Sequence, residues 1–163
     1  MTLTTHAVWG AAAAVALRQE PALGMAAALL SHYLLDTIPH WDYGIFSLHR
    51  DSRDPLRRRF TLSMNSLKDA LRIGSDFLCG LAVAALAVNT VYPDYILLGL
   101  GGALIAILPD FLQFIYFVLP IKPLAWHQVL HSRMHTKNRW RDEPVLGLFV
   151  QLVLVLVAAS ALL

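Results

Sequence analysis

The sequence predicts an all-α integral membrane protein, a helical bundle of about five helices in one membrane domain spanning residues 1–163, and three observations carry that expectation. Hydrophobic residues make up 57% of the chain and charged residues only 15%, against about 45–50% and about 25% in a soluble domain. The apolar residues gather in long runs separated by short polar turns and two basic loops. A shift of 70 residues also superposes His6 on Asp76, Gly10 on Gly80, Pro39 on Pro109 and His40 on Asp110, so 5–43 and 75–113 read as a duplicated helical hairpin.

The first helix is expected over 6–18, HAVWGAAAAVALR, capped by Thr4 or Thr5. No Lys or Arg precedes it, which argues against a cleaved signal and for a structural segment. Pro21 starts a second helix running to about residue 38, where Pro39 forbids its continuation. The tight turn between them makes an antiparallel hairpin. Residues 44–66 form a loop in which HRDSRDPLRRRF carries five arginines. Among them, Arg57, Arg58 and Arg59, with Arg133 further on, are candidate contacts for anionic headgroups or a phosphate-bearing substrate, because a guanidinium is a planar phosphate fork.

A third helix is expected over 65–89, amphipathic at first and wholly apolar after Asp76, with Cys79 as a small buried hydrophobe. A fourth covers 94–119, kinked or broken at Pro109. The basic, His-rich segment 122–141 follows, and Pro144 starts a last apolar helix about long enough to span a bilayer. Of the thirteen Lys and Arg residues, seven lie between Arg50 and Arg72 and five between Lys122 and Arg141, leaving Arg18 alone. The positive-inside rule then places the N-terminus and both long loops (44–66, 120–143) in the cytoplasm and the C-terminus outside. The net charge of +2 is too weak to point to nucleic acid as a partner; membrane lipids are the expected partners.

That topology gathers the polar residues at one level. SHYLLDTIPHWDY places His32, Asp36, His40 and Asp42 at the end of the second helix. His6 opens the first helix, Asp76 lies near the start of the third, and Asp110 interrupts the fourth. His127, His131 and His135 recur every four residues, which puts them on one face of a helix. Ionisable groups in apolar sequence are costly and mark function by default. The candidate metal ligands are therefore His6, His32, His40, Asp76, Asp110, His127 and His131, with Asp36 and Asp42 as catalytic carboxylates; the part of His135 stays open. Mixed His/Asp donors without thiolate suit zinc first, then manganese or iron. A divalent ion in such a set activates water for hydrolysis, with a free carboxylate as base. No nucleophile elbow or glycine-rich phosphate loop offers another chemistry.

The residues His6 in TTHAVWG, Ser31-His32 and Asp36 in SHYLLD, Pro109-Asp110 in AILPDF, and His127 with His131-Ser132 in WHQVLHS resemble the motifs of the YdjM-like family of inner-membrane metal-dependent hydrolases. The order differs from the family's, with SHxxxD preceding Pro-Asp, and Gln128 and Leu130 stand where the family has Arg and Thr. The resemblance implies a membrane-embedded hydrolase of the bacterial inner membrane and carries over no substrate; the leading expectation from the site is hydrolysis of an ester or phosphoester, a lipid among them. Two other readings compete: a non-catalytic accessory or assembly subunit whose His/Asp pairs lock helices together, and a b-type haem held by two histidines.

Overall fold

The computed structural model describes every residue except 50–53, 138–139, 141–142 and 163. Arg50, Arg53, Arg139 and Arg141, part of the charge asymmetry behind the topology expectation, lie outside the described residues. Among those described, six α-helices account for most of the chain. They are α1 (Leu3–Ala16), α2 (Pro21–Thr37), α3 (Met64–Val91), α4 (Ile96–Val118), α5 (Lys122–Met134) and α6 (Pro144–Ser160). The class is all-α as expected. The helix beyond the expected five is α5, built on the His-rich segment and started by Pro123 in its first turn.

Helix ends follow local chemistry. α1 starts earlier than expected, because Thr2 and not Thr4 or Thr5 is its cap, accepting from the Thr5 amide at 3.4 Å. Ser63 and Ser66 form a reciprocal capping box at the start of α3. α2 stops at Thr37, two residues before Pro39. Pro109, by contrast, stays inside α4, which passes through it as one element. Between α2 and α3, β1 (Leu48–His49) pairs antiparallel with β2 (Arg59–Phe60).

α1 is the central helix, in contact with α2, α3, α4 and α6. Its alanines and glycine let backbones approach: a Cβ added to Gly10 would stand 2.4 Å from both the Gly102 carbonyl oxygen and the Ala106 Cβ on α4. A Cβ on each of the seven other helical glycines would meet an atom at 2.9 Å or less, whereas a Cβ at Gly74, inside α3, would meet nothing within 4 Å. A mid-helix glycine costs about 1 kcal/mol relative to alanine, and at Gly74 no close packing offsets it.

The two hairpin turns share one end of the molecule, where the Arg18 guanidinium stacks over the Tyr92 ring at 4.4 Å and Tyr95 at 5.8 Å. The opposite end holds Met1, the segment after α2, the first turns of α3, the last turns of α4, and α5. α3 and α4 are long and apolar enough to cross a membrane. Neither is mostly buried: Leu86 and Leu97 are among the large apolar side chains they expose. Cys79, on α3, is exposed as well, contrary to expectation. α6 has 17 residues, at the short end of the roughly 17–25 that a spanning helix needs. It also braces the N-terminus: Gln151 accepts from the Thr2 amide at 2.8 Å and donates to the Trp41 carbonyl at 2.9 Å.

Candidate metal centre

Asp36, in the last turn of α2 and 1% exposed, is the point on which the polar residues converge. Its Oδ2 lies 3.5 Å from His32 Nε2, 3.4 Å from His131 Nε2 and 3.9 Å from His135 Nε2. Its Oδ1 lies 3.3 Å from His6 Nε2 and 3.3 Å from the Met1 ammonium. Asp110 Oδ1 approaches His131 Nε2 at 3.4 Å. On the other side, Asp42 lies 3.1 Å from His40 Nε2, 3.5 Å from His135 Nε2 and 2.8 Å from the Met1 ammonium.

Two groups of donor atoms are compact enough to hold an ion: His32, Asp36, Asp110 and His131, and Asp36, His40 and His135. Asp36 belongs to both. The spacing fits the task, because ligands about 2.0–2.1 Å from a tetrahedral ion stand about 3.3–3.4 Å apart. Charge-assisted hydrogen bonds are shorter, at about 2.7–2.9 Å. Most of the contacts in the first group match the edge of a coordination tetrahedron better than a hydrogen bond.

The histidine ring orientations make the same case. His32 Nδ1 donates to the Ala106 carbonyl at 2.7 Å, His40 Nδ1 to the Ile38 carbonyl at 2.6 Å and His135 Nδ1 to the Thr136 carbonyl at 3.2 Å. A neutral imidazole whose Nδ1 carries the proton presents a bare lone pair at Nε2. In each ring that Nε2 points at the carboxylates. The Gln113 side-chain amide donates to His131 Nδ1 at 2.7 Å, which leaves the His131 proton on Nε2, 3.0 Å from His32 Nε2. That proton bridges the two rings, and an ion bound between them would take its place. Backbone carbonyls that fix the far nitrogen are the usual outer support of metal-binding histidines. Among the described residues, buried Asp36 Oδ2, His40 Nε2 and both His6 nitrogens lack a hydrogen-bond partner, the state expected of atoms meant for an ion.

In the ion-free protein, protons do part of the work. Burial alone would lower the His131 pKa, but Asp110 and Asp36 raise it to about 9. Burial likewise opposes the Met1 ammonium, and Asp36 and Asp42 raise it to about 10. Burial opposes ionisation of Asp42, yet the Met1 ammonium and His40 hold its carboxyl well below the usual carboxylate range.

Of the sequence-predicted residues, His6, His32, Asp36, His40, Asp42, Asp110 and His131 come together, drawn from α1, α2, the segment after it, α4 and α5. Several placements differ from expectation. Asp76 caps α1: its oxygens accept from the Leu3 amide at 2.7 Å, the Thr4 amide at 3.1 Å, the Thr4 hydroxyl at 2.7 Å and the Tyr43 hydroxyl at 3.1 Å. It satisfies first-turn amides that an N-terminal helix cannot pair internally, so its carboxylate is spent. His127 stacks on His131 with ring centroids 5.7 Å apart, and neither it nor His6, which reaches Asp36 from outside the sets, belongs to a donor group. Asp36 is the shared donor, where a separate catalytic carboxylate was expected, and His135, left open by the sequence, completes the second group.

Gln113 and the Ala106 carbonyl are functional groups that sequence reasoning missed. Gln113 had a signal, being a lone amide in apolar sequence three residues beyond Asp110. A backbone carbonyl has none. Of the arginines, Arg58 lines the chamber beside the cluster. Arg57 instead pairs with Asp54 at 3.4 Å, Arg59 donates to the Leu56 and Arg58 carbonyls, and Arg133 is exposed. Compared with protein-family models, with curated proteins and with solved structures, the chain matches none.

Proposed function

We propose that the protein is a membrane-embedded metal-dependent hydrolase of an ester or phosphoester, of the YdjM-like kind, with its centre near the cytoplasmic face of a bacterial inner membrane. The observation that carries this reading is the buried Asp36 carboxylate at the meeting point of two His/Asp donor sets, in which the His32, His40 and His135 imidazoles present bare Nε2 lone pairs. His32, Asp36, Asp110 and His131 would hold one ion and Asp36, His40 and His135 a second, with zinc the best match to the donors and manganese or iron next. A divalent ion in this place supplies a Lewis acid for the attacked group and a nucleophile from water near neutral pH.

The chain's own residues do the rest. Asp42 and Asp110 both face the chamber beside the cluster. Asp42, held ionised, accepts the proton of the attacking water and passes it to the leaving oxygen. The Ala106 carbonyl and Gln113 keep His32 and His131 in one orientation through the cycle. The exposed apolar faces of α3 and α4 seat the protein in lipid, and the basic loops set its orientation.

The test is detergent-purified protein with its affinity tag removed. Elemental analysis should find zinc, manganese or iron at one or more ions per chain. Hydrolysis of a chromogenic phosphodiester or carboxylic ester should stop on chelation, return with added ion, and be absent from His131→Ala. Substoichiometric metal, with turnover indifferent to chelator, would sink the proposal. A second reading is favoured by the Met1 ammonium, 2.8 Å from Asp42 and 3.3 Å from Asp36. In that reading the cluster is a packing device in a non-catalytic membrane subunit, and added metal leaves the melting temperature unchanged.

A further inference from the structure

A cavity of about 740 Å³ adjoins the cluster, a volume in the usual range for a site that encloses a whole organic ligand, about 300–1,000 Å³. Its wall is chemically divided. Asp42, Asp110, His131 and His135 form one part. Most of the rest is an apolar cleft between facing stripes of α3 and α4, with Ala70, Ile73 and Phe77 on one side and Leu104, Leu108 and Phe111 on the other, and with Arg58, Ser66, Asp69 and Gln113 among its polar residues. These helices touch near their connecting turn, where a Cβ on Gly99 would stand 2.8 Å from Val88. They stand apart at the cluster end, so the cleft lies between the two helices that are long enough to cross a membrane.

Two details say what the cleft takes. Gly74 lines it, and a Cβ there would meet nothing within 4 Å, whereas each of the other helical glycines would meet an atom at 2.9 Å or less. The missing side chain widens the cleft and serves no helix contact. Among the described residues that line the cavity, Arg58 is the only Lys or Arg. An apolar cleft reached from lipid, a guanidinium and a carboxylate-histidine cluster match an amphiphile with a hydrocarbon chain and a phosphate head, the group an Arg fork recognises best.

We propose that the cleft between α3 and α4 holds the hydrocarbon chain of a long-chain phosphate ester, with its phosphate between Arg58 and the His/Asp cluster. This rests on the hydrolase reading for the fate of the ligand, but the binding can be tested without turnover. The probes are dodecyl phosphate, dodecanol and glycerol phosphate, with the full-length protein in nanodiscs and empty nanodiscs as the blank. The wild type should bind dodecyl phosphate at least tenfold more tightly than either of the others. Gly74→Phe, whose Cβ would meet nothing within 4 Å and which removes a helix-weakening glycine, should lose that binding at least tenfold with melting temperature and metal content unchanged. Ala70→Phe, from the same wall, should do the same, which covers a folding failure of either variant. Arg58→Ala should bring dodecyl phosphate to the level of dodecanol.

Equal binding of dodecanol and dodecyl phosphate by the wild type would overturn the proposal. So would wild-type binding in both cleft variants. Tight, chain-dependent binding of dodecyl phosphate with no phosphate released in the presence of zinc, manganese or iron would leave this inference standing and remove the hydrolase.

Discussion

Asp36→Asn is the perturbation that separates one shared centre from a set of independent polar contacts. The substitution keeps the shape and one carbonyl oxygen but removes the charge that faces His6, His32, His131, His135 and the Met1 ammonium. The site is buried, so water cannot replace what is lost, and removing one partner of a buried ion pair costs about 3–5 kcal/mol. For a chain of this size each kcal/mol moves the melting temperature by about 2–4 °C, so the ion-free variant should melt roughly 6–20 °C lower. Its ion content is the sharper readout. Because Asp36 belongs to both donor groups, Asp36→Asn should bind no ion, while His40→Ala and Asp110→Ala should each keep the ion that the other loses. Elemental analysis after dialysis against trace zinc measures this directly. If Asp110→Ala and His40→Ala each abolish all binding, the donors serve one ion; if Asp36→Asn keeps the wild-type content, the reasoning from ligand spacing is wrong.

Other expectations follow from the same geometry. Asp76→Asn should weaken the cap of α1 by about 1 kcal/mol and leave ion content unchanged, which a melting curve and elemental analysis together would check. Gly10→Val forces a side chain into the Gly102 carbonyl and Ala106, an overpacking worth about 1–3 kcal/mol. Since it prises α1 from α4, it should also weaken ion binding, measurable by titration with a zinc-competing dye. The ion-free protein should lose stability on the alkaline side. His131 has its pKa raised from 6.5 to about 9, so its contribution is complete below pH 6.5 and disappears as pH rises through 9; the Met1 ammonium, raised to about 10, acts in the same sense. Melting temperatures between pH 6 and 10 should fall with rising pH in chelator and stay flatter with bound ion, which takes the place of the His131 proton.

Much of this centre was legible because membrane-like sequence is so poor in polar residues. His6, His32, Asp36, Asp110 and His131 each stand out from apolar neighbours, and their cost when buried made convergence the economical expectation. Asp76 stands out equally and was misjudged, since a carboxylate that caps the amides of another helix looks the same in sequence as one that binds an ion. The distinction depends on α3 meeting the start of α1, a tertiary fact. The His-rich segment was readable as one helical face, but which of its three imidazoles reach the carboxylates was not. That depends on the depth at which α5 docks, which leaves His127 beside the cluster and brings His135 into it. Thr2 escaped as the cap of α1 because three threonines in four residues offer equal chemistry.

α5 is tied to the end of α2 by a bond that belongs to neither donor group: the Thr136 amide donates to the Asp36 carbonyl at 2.7 Å. One residue thus uses its side chain to gather the histidines and its backbone to fasten the segment that delivers two of them. This gives the centre an order of birth. A ribosome releases His6, His32, Asp36 and His40 early, but His131, His135 and Thr136 emerge a hundred residues after Asp36 and close the arrangement only then. A half-made chain therefore holds only part of either donor set, and both sets become complete only once α5 has docked.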